Sequence, residues 1–165
     1  MPPGRACVKV VPRHDEVVRP NSTEVDVERL TLHDQLSAAA MARHWVCDHC
    51  PEQHLPAARR WIAELLTSEL VVNALAHGRG PVVLSLTHDE EGILVGISDS
   101  DERVPTLRAQ SPGATAGRGI ALVDALATTW GVYGSDGSRT DADTGGWPRP
   151  QESGGKTVWF HLATG

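Results

Sequence analysis

The stretch that most constrains the fold is residues 57–76, the longest run of helix-favouring composition in the chain. Gly78, Gly80 and Pro81 follow it and end the helix. Two strand-like runs come next, at 82–87 and 93–98, and the hairpin-type connection His-Asp-Glu-Glu-Gly joins them. Strands this close in sequence pair most easily in the antiparallel sense, so a long helix beside an antiparallel hairpin is predicted.

The other periodic runs extend this pattern. Strands are predicted at 24–32, 129–133 and 156–163, and helices at 33–48 and 117–128. The order is strand, two helices, hairpin, loop, helix and two strands. It predicts an α+β fold, a two-layer α/β sandwich whose mixed, mostly antiparallel sheet is covered on one face by about three helices.

Length and composition indicate one soluble domain. Within the 165 residues we predict a flexible N-terminal arm at 1–23, which holds four prolines, and a single domain at 24–165. Residues 104–116 are predicted to be a mobile loop. Residues 134–155, a polar stretch rich in Gly, Asp and Ser, are predicted to be a poorly ordered loop.

Charge and hydropathy exclude several classes of function. The net charge of -6 argues against a nucleic-acid partner, which favours a basic surface. No apolar run approaches the roughly 20 residues of a membrane span, and the N-terminus lacks the apolar core of a signal peptide. Three cysteines, an odd number, fit a reducing compartment better than a disulfide framework. A cytoplasmic protein is predicted, with no membrane or nucleic-acid partner.

Two polar residues fall on the predicted apolar side of the long helix. At roughly 100° per residue, Glu69 and Asn73 lie on one side together with five apolar residues, Ile62, Leu65, Leu66, Val72 and Ala76. The opposite side carries Arg60, Glu64 and Thr67. A carboxylate on an apolar face is costly unless it has a partner or an opening to solvent. The alternative is that both residues sit at a rim and cap loops.

Two further features are candidates for ligand contact. Asp99 has the alternation of Ile93, Val95 and Ile97, so it belongs to the apolar side of its strand, although Asp also commonly begins a turn there. Gly-Arg-Gly at 117–119 opens a helix after a loop, and a helix start of this kind favours phosphate. Glycine here can also simply interrupt structure. The chain has neither a Walker loop nor the glycine fingerprint of a dinucleotide fold.

Taken together, these features resemble the GHKL ATPases of the gyrase, heat-shock chaperone, histidine kinase and mismatch-repair type. The closest likeness is to their small anti-sigma-factor kinases. ELVVNALAHG at 69–78 looks like the N box, and ISDSD at 97–101 stands in the place of the first glycine box. GRGIALVDAL at 117–126 looks like the second glycine box, and GGKTVWF at 154–160 resembles the closing strand.

The resemblance implies a Bergerat-type ATP-binding fold with ATP and Mg²⁺ as ligands. Asn73 would coordinate Mg²⁺, Glu69 would be the general base, and Asp99 would accept a hydrogen bond from the adenine amino group. The remaining nucleotide-binding positions would be His77, Gly117, Arg118, Gly119 and Thr157. Thr157 would support the contact between Asp99 and adenine, although it alternates against the apolar residues of its strand.

The resemblance also implies a reaction and its partners. The γ-phosphate of ATP would be transferred to a Ser or Thr of an antagonist protein. A sigma factor and this anti-anti-sigma antagonist would be the partners, and a homodimer is possible.

Departures from the family pattern leave alternatives open. The first glycine box is usually Asp-x-Gly-x-Gly, whereas residues 99–103 read Asp-Ser-Asp-Glu-Arg. A non-catalytic module that binds a partner protein, with ATP as a ligand or not at all, is therefore the main alternative. A zinc-dependent interaction domain is a third, because Cys47 and Cys50 form a CxxC pair with His44 and His54 nearby. Two semi-buried cysteines at a helix end would give the same pattern.

Overall fold

The computed structural model describes residues 27–33, 36–103, 118–134 and 155–165. Most of the predicted arm and loops (1–26, 104–117 and 135–154) lie outside these ranges. The described elements confirm the predicted α+β class. They are β1 Glu28–Leu32, α1 Ala38–His49, α2 Ala57–His77, β2 Val82–Asp89, β3 Gly92–Asp99, α3 Arg118–Leu126, β4 Thr129–Gly134 and β5 Lys156–Ala163.

The described strands form one open sheet in the order β1-β2-β3-β5-β4. Every neighbouring pair in it is antiparallel. The last strand in the chain, β5, is inserted between β3 and β4, so strands far apart in sequence lie side by side. The pairing of β3 with β5 places Asp99 opposite Lys156 and Ser98 opposite Thr157.

The turn between β2 and β3 is tighter than the predicted five-residue connection. The Asp89 carboxylate accepts hydrogen bonds from the backbone N–H groups of Glu91 (2.7 Å) and Gly92 (3.2 Å). Gly92 has a φ of 146°, and a Cβ there would lie 2.0 Å from the carbonyl oxygen of Leu162. Because the aspartate closes the turn and the glycine permits it, both strands extend further than their apolar residues indicate.

The core lies between the sheet and the three described helices, and α3 contributes Ile120 and Val123 to it. It is built from apolar side chains of both layers, with Phe160, Leu66, Leu84, Ile97 and Val71 among the most buried. Helices α1 and α2 are also joined by polar contacts, because Arg60 donates a hydrogen bond to the carbonyl of Cys47 at 3.1 Å. Among the described helices, none combines the length and apolarity that a bilayer crossing requires.

The buried side of α2 differs from the predicted one. Its buried residues are Ala63, Leu66, Thr67, Leu70, Val71 and Ala74. Thr67, expected on the polar side, is fully buried, whereas Val72 is 51% exposed. The helix packs on α1 along one flank and on the sheet below, so the buried arc turns toward α1. Glu69 and Asn73 consequently lie half-buried at the border of this arc rather than at its centre.

Candidate functional site

Glu69 and Asn73 on α2 lie against the first turn of α3. A Cβ built on Gly119, the second residue of α3, would be 2.6 Å from Nδ2 of Asn73 and 3.3 Å from Oε2 of Glu69. The absence of a side chain at Gly119 therefore allows the two helices to approach this closely. The indole of Trp130 donates a hydrogen bond to Asp124 at 3.0 Å and ties α3 to β4. The N-terminus of a nine-residue helix is thus held beside an amide and a carboxylate.

The second part of the site surrounds Asp99 at the end of β3. Asp99 is 5% exposed and faces the end of α2, where a Cβ on Gly78 would lie 2.7 Å from its carboxyl carbon. Oδ1 of Asp99 accepts hydrogen bonds from the backbone N–H of Asp101 (2.8 Å) and from Nζ of Lys156 (2.9 Å). The carboxylate is therefore fixed in orientation and paired with a buried cation.

Thr157 is not brought to Asp99. It pairs with Ser98 in a regular antiparallel register, and the two hydroxyl oxygens are 2.7 Å apart. Both point to the sheet face away from Asp99, because successive residues of a strand alternate sides. No irregularity turns Thr157 inward, so its implied support of Asp99 has no counterpart in this geometry. Lys156, which the sequence reasoning missed, takes the place opposite Asp99.

The segment that stands in place of the first glycine box is braced by side chains. Asp101 accepts hydrogen bonds from the backbone N–H of Arg103 (3.1 Å) and from its guanidinium, with Nη2 at 2.5 Å from Oδ2. This guanidinium holds the pKa of the Asp101 carboxyl well below its usual range, and Asp101 in turn raises the pKa of Arg103. Arg103 also donates to the carbonyl of His77 at 3.2 Å, at the C-terminal end of α2 where a cation is favoured.

The other predicted nucleotide-binding positions are less central. The side chain of His77 is exposed, and its backbone carbonyl is the group that contacts Arg103. Arg118 is the first residue of α3, and Gly117 lies outside the described residues. Gly78, the residue after α2, stands nine positions beyond Glu69, so at a rise of roughly 1.5 Å per residue the two parts of the site are separated by about 13 Å along the helix axis.

The cysteine pair lies apart from this site, between α1 and α2. The Cys47 thiol donates a hydrogen bond to Glu64 at 3.3 Å. Burial raises the pKa of Cys47 to about 11, reinforced by Glu64, and burial raises the pKa of Cys50 to about 11 as well. Both thiols are therefore protonated at neutral pH. Within the described ranges, no group of three or more His, Cys, Asp or Glu side chains is placed to hold a metal ion.

Comparison with known proteins agrees with this arrangement. The model of the histidine kinase-like ATPase domain matches residues 32–147, more than two thirds of the chain. An uncharacterized protein of Streptomyces coelicolor is 41% identical over 70 residues, which are 39% of this chain and 67% of that relative. The chain belongs to the histidine kinase-like ATPase family. The GHKL resemblance is thereby confirmed, and ATP binding follows from that membership.

Proposed function

We propose that this protein is a regulatory serine/threonine kinase of the anti-sigma-factor type. It transfers the γ-phosphate of ATP to a Ser or Thr of an anti-anti-sigma antagonist. A sigma factor is its other partner. The observation that carries this proposal is the contact of Glu69 and Asn73 with Gly119 at the start of α3. It joins a base, a metal-binding amide and a phosphate-favouring helix terminus.

The residues around Asn73 fit a magnesium nucleotide. Nδ2 of Asn73 is turned toward Gly119, so the amide lies beside the first turn of α3, and its Oδ1 would be the oxygen that binds a cation. Amide and carboxylate oxygens suit Mg²⁺, which keeps phosphate oxygens and waters as its other ligands. The ion, when bound, neutralises charge on the β- and γ-phosphates. The N–H groups in the first turn of α3 hold the phosphates.

In the proposed reaction the substrate hydroxyl oxygen forms a bond to the γ-phosphorus. The bond between that phosphorus and the β–γ bridging oxygen breaks, and its electron pair leaves with ADP. The Glu69 carboxylate accepts the proton of the hydroxyl. Glu69 lies one helical turn from Asn73, so the base and the metal ligand act on the same end of the nucleotide.

A second candidate function is a non-catalytic regulator that binds ATP or a partner protein without transferring phosphate. The observation that favours it is the pair of Asp101 and Arg103, which braces the segment where the family pattern has glycines. Glycines in this segment would leave the backbone free to adapt to phosphates. Here side-chain hydrogen bonds hold the segment instead. A homodimer is compatible with both functions and stays a proposal.

Calorimetry and a transfer assay test the proposed function. The purified protein is expected to bind ATP in a Mg²⁺-dependent manner, and Asn73→Ala is expected to lose that dependence while keeping its fold by circular dichroism. A pull-down supplies the partner, and radiolabelled phosphate is then expected to appear on its Ser or Thr. Binding of ATP without transfer to a genuine partner would favour the non-catalytic regulator instead.

Gly119→Ala is expected to separate stability from nucleotide binding. Alanine favours a helix over glycine by up to about 1 kcal/mol, and this gain offsets the strain of a Cβ placed 3.3 Å from Cβ of Glu69, so the melting temperature should change little. The added Cβ would lie 2.6 Å from Nδ2 of Asn73, so the amide must move. Displacing a residue that orients a metal ligand typically costs about 10–100-fold in affinity. Titration with ATP and Mg²⁺ checks this.

Gly165→Ala is the matched control, because a Cβ there meets nothing within 4 Å. It should leave both the melting temperature and the nucleotide affinity unchanged. If Gly119→Ala binds ATP with Mg²⁺ as tightly as the wild type, the close approach of α3 to Asn73 has no part in the binding site.

A further inference from the structure

We propose that Lys156 is a positioning residue for the nucleobase, which holds the Asp99 carboxylate so that one oxygen faces the amino group of an aminopurine. The proposal rests on nucleotide binding at Asp99, and it adds a specificity-determining residue that the GHKL motifs did not indicate. It is carried by the buried pair of Asp99 and Lys156 across β3 and β5.

The pair is built into the sheet. Asp99 and Lys156 are register partners on neighbouring strands, and their side chains are 2% and 10% exposed. Nζ of Lys156 lies 2.9 Å from Oδ1 of Asp99 and 3.0 Å from the carbonyl oxygen of Asp101. Lys156 therefore joins the end of β3 to the segment that follows it.

Gly155 allows this close approach. It has a φ of 100°, which side chains rarely adopt, and a Cβ there would lie 1.9 Å from the carbonyl oxygen of Asp99. A bulkier residue at this position would push the start of β5 away from Asp99. The glycine before Lys156 is thus required for the lysine to reach its partner.

The two oxygens of Asp99 have different surroundings. Oδ1 accepts the hydrogen bonds of Lys156 and Asp101, whereas Oδ2 accepts none from the residues that the structure describes. The two hydrogen bonds to Oδ1 oppose rotation of the carboxyl group, and the carboxylate packs against the end of α2, where a Cβ on Gly78 would be 2.7 Å from the carboxyl carbon. Oδ2 is therefore the oxygen left to accept a hydrogen bond from a base.

A cation is needed here because a buried carboxylate without a counter-charge is costly. Arg103, the other nearby cation of the described segment, is committed to Asp101. The chain carries 13 Arg but only two Lys, Lys9 and Lys156. Lysine is therefore rare among the basic residues, and one of the two stands at this position. An ammonium is a compact point charge that fits between a carboxylate and a carbonyl, whereas a planar guanidinium needs a wider space.

The arrangement predicts recognition of a particular base chemistry. A fixed acceptor favours a 6-amino group, which donates, over a 6-oxo group, which accepts and would leave Oδ2 unpaired. Sites built around a buried hydrogen bond reject an analogue that lacks it strongly. Lys156 then acts on selectivity through Asp99 without touching the base.

The test compares ATP with inosine triphosphate, which differs by a 6-oxo group, in calorimetric titrations of the wild type and Lys156→Met. The wild type is expected to prefer ATP, and Lys156→Met is expected to lose at least about tenfold of that preference. A purely structural role would weaken both nucleotides equally. Lys9→Met, which removes the other lysine, is the matched control and should keep the preference.

If the folded Lys156→Met protein keeps the wild-type preference for ATP, the positioning role is overturned. If it binds ATP more tightly than the wild type, Lys156 competes with the base, and the positioning role is overturned as well. Neither result bears on the kinase proposal. A wild type that binds no ATP overturns this proposal and the kinase together. If Lys156→Met does not fold, Lys156→Arg replaces it, because arginine keeps the charge in a wider group. This variant is expected to show a reduced preference for ATP over inosine triphosphate. An undiminished preference there overturns the proposal.

Discussion

Glu69→Gln is expected to lower the rate of phosphoryl transfer by about 10²–10⁴-fold, the usual contribution of a general base, while ATP affinity changes little. Glutamine keeps the shape of the side chain beside Gly119 but cannot accept the hydroxyl proton. Because the base contacts the attacking hydroxyl rather than the nucleotide, ground-state binding of ATP should persist. Loss of a negative charge near the γ-phosphate even favours slightly tighter binding. Radiolabelled transfer to the cognate partner and calorimetry with ATP measure the two quantities.

Glu64→Gln is the matched control for this substitution. Glu64 lies on the same helix but faces α1, where it accepts a hydrogen bond from Cys47 at 3.3 Å. Its loss should leave the transfer rate unchanged. If Glu69→Gln transfers phosphate at the wild-type rate, Glu69 has no role as a base, and the contact with Gly119 serves packing alone.

Local patterns predicted much of the fold. The alternation at 156–163 coincides with β5 Lys156–Ala163, and the helix predicted at 57–76 is one residue shorter than α2. Both elements are long and strongly periodic; Gly78 follows α2 and Gly155 precedes β5. The hairpin turn was less visible, because its geometry comes from one hydrogen-bonded aspartate and one glycine rather than from a run of polar residues.

The direction in which α2 faces could not be read from its own sequence. Arg60 and Glu64, on the same side of α2 as the buried Thr67, both contact Cys47 of α1. The burial of this side therefore depends on a neighbouring helix that periodicity does not identify. The proximity of Glu69 and Asn73 followed from their spacing of four residues. Their contact with Gly119 is tertiary, and the sequence indicated it only through the family resemblance.

The roles of Lys156 and Thr157 show the same limit at the sheet. Lys156 alternates with Thr157 and so shares a side of β5 with Val158 and Phe160, but its partner depends on the register between β3 and β5. That register joins residues 57 positions apart, and no local signal specifies it. Family resemblance directed attention to the threonine, whereas the strand presents the lysine to Asp99.

Asp99→Asn is expected to abolish the preference for ATP and to destabilise the fold by about 3 kcal/mol, the lower end of the range for breaking a buried ion pair. The stability loss arises because the buried Lys156 ammonium is left without its counter-charge. Urea denaturation measures the free energy of unfolding, and calorimetry with ATP and GTP measures selectivity.

The double variant Asp99→Asn with Lys156→Met separates the two effects. Removing both charges should restore part of the stability, since no buried charge is then left without a counter-charge, yet selectivity should stay lost. Arg103→Met is the comparison at the neighbouring pair, whose arginine side chain is 74% exposed. It should cost less stability, because solvent screens the cation and Asp101 keeps the hydrogen bond from the backbone N–H of residue 103. Wild-type stability in Asp99→Asn would show that the pair contributes nothing to folding. Equal binding of ATP and GTP by the wild-type protein would remove Asp99 from base recognition, because a fixed carboxylate oxygen cannot accept from a 6-oxo group as it does from a 6-amino group.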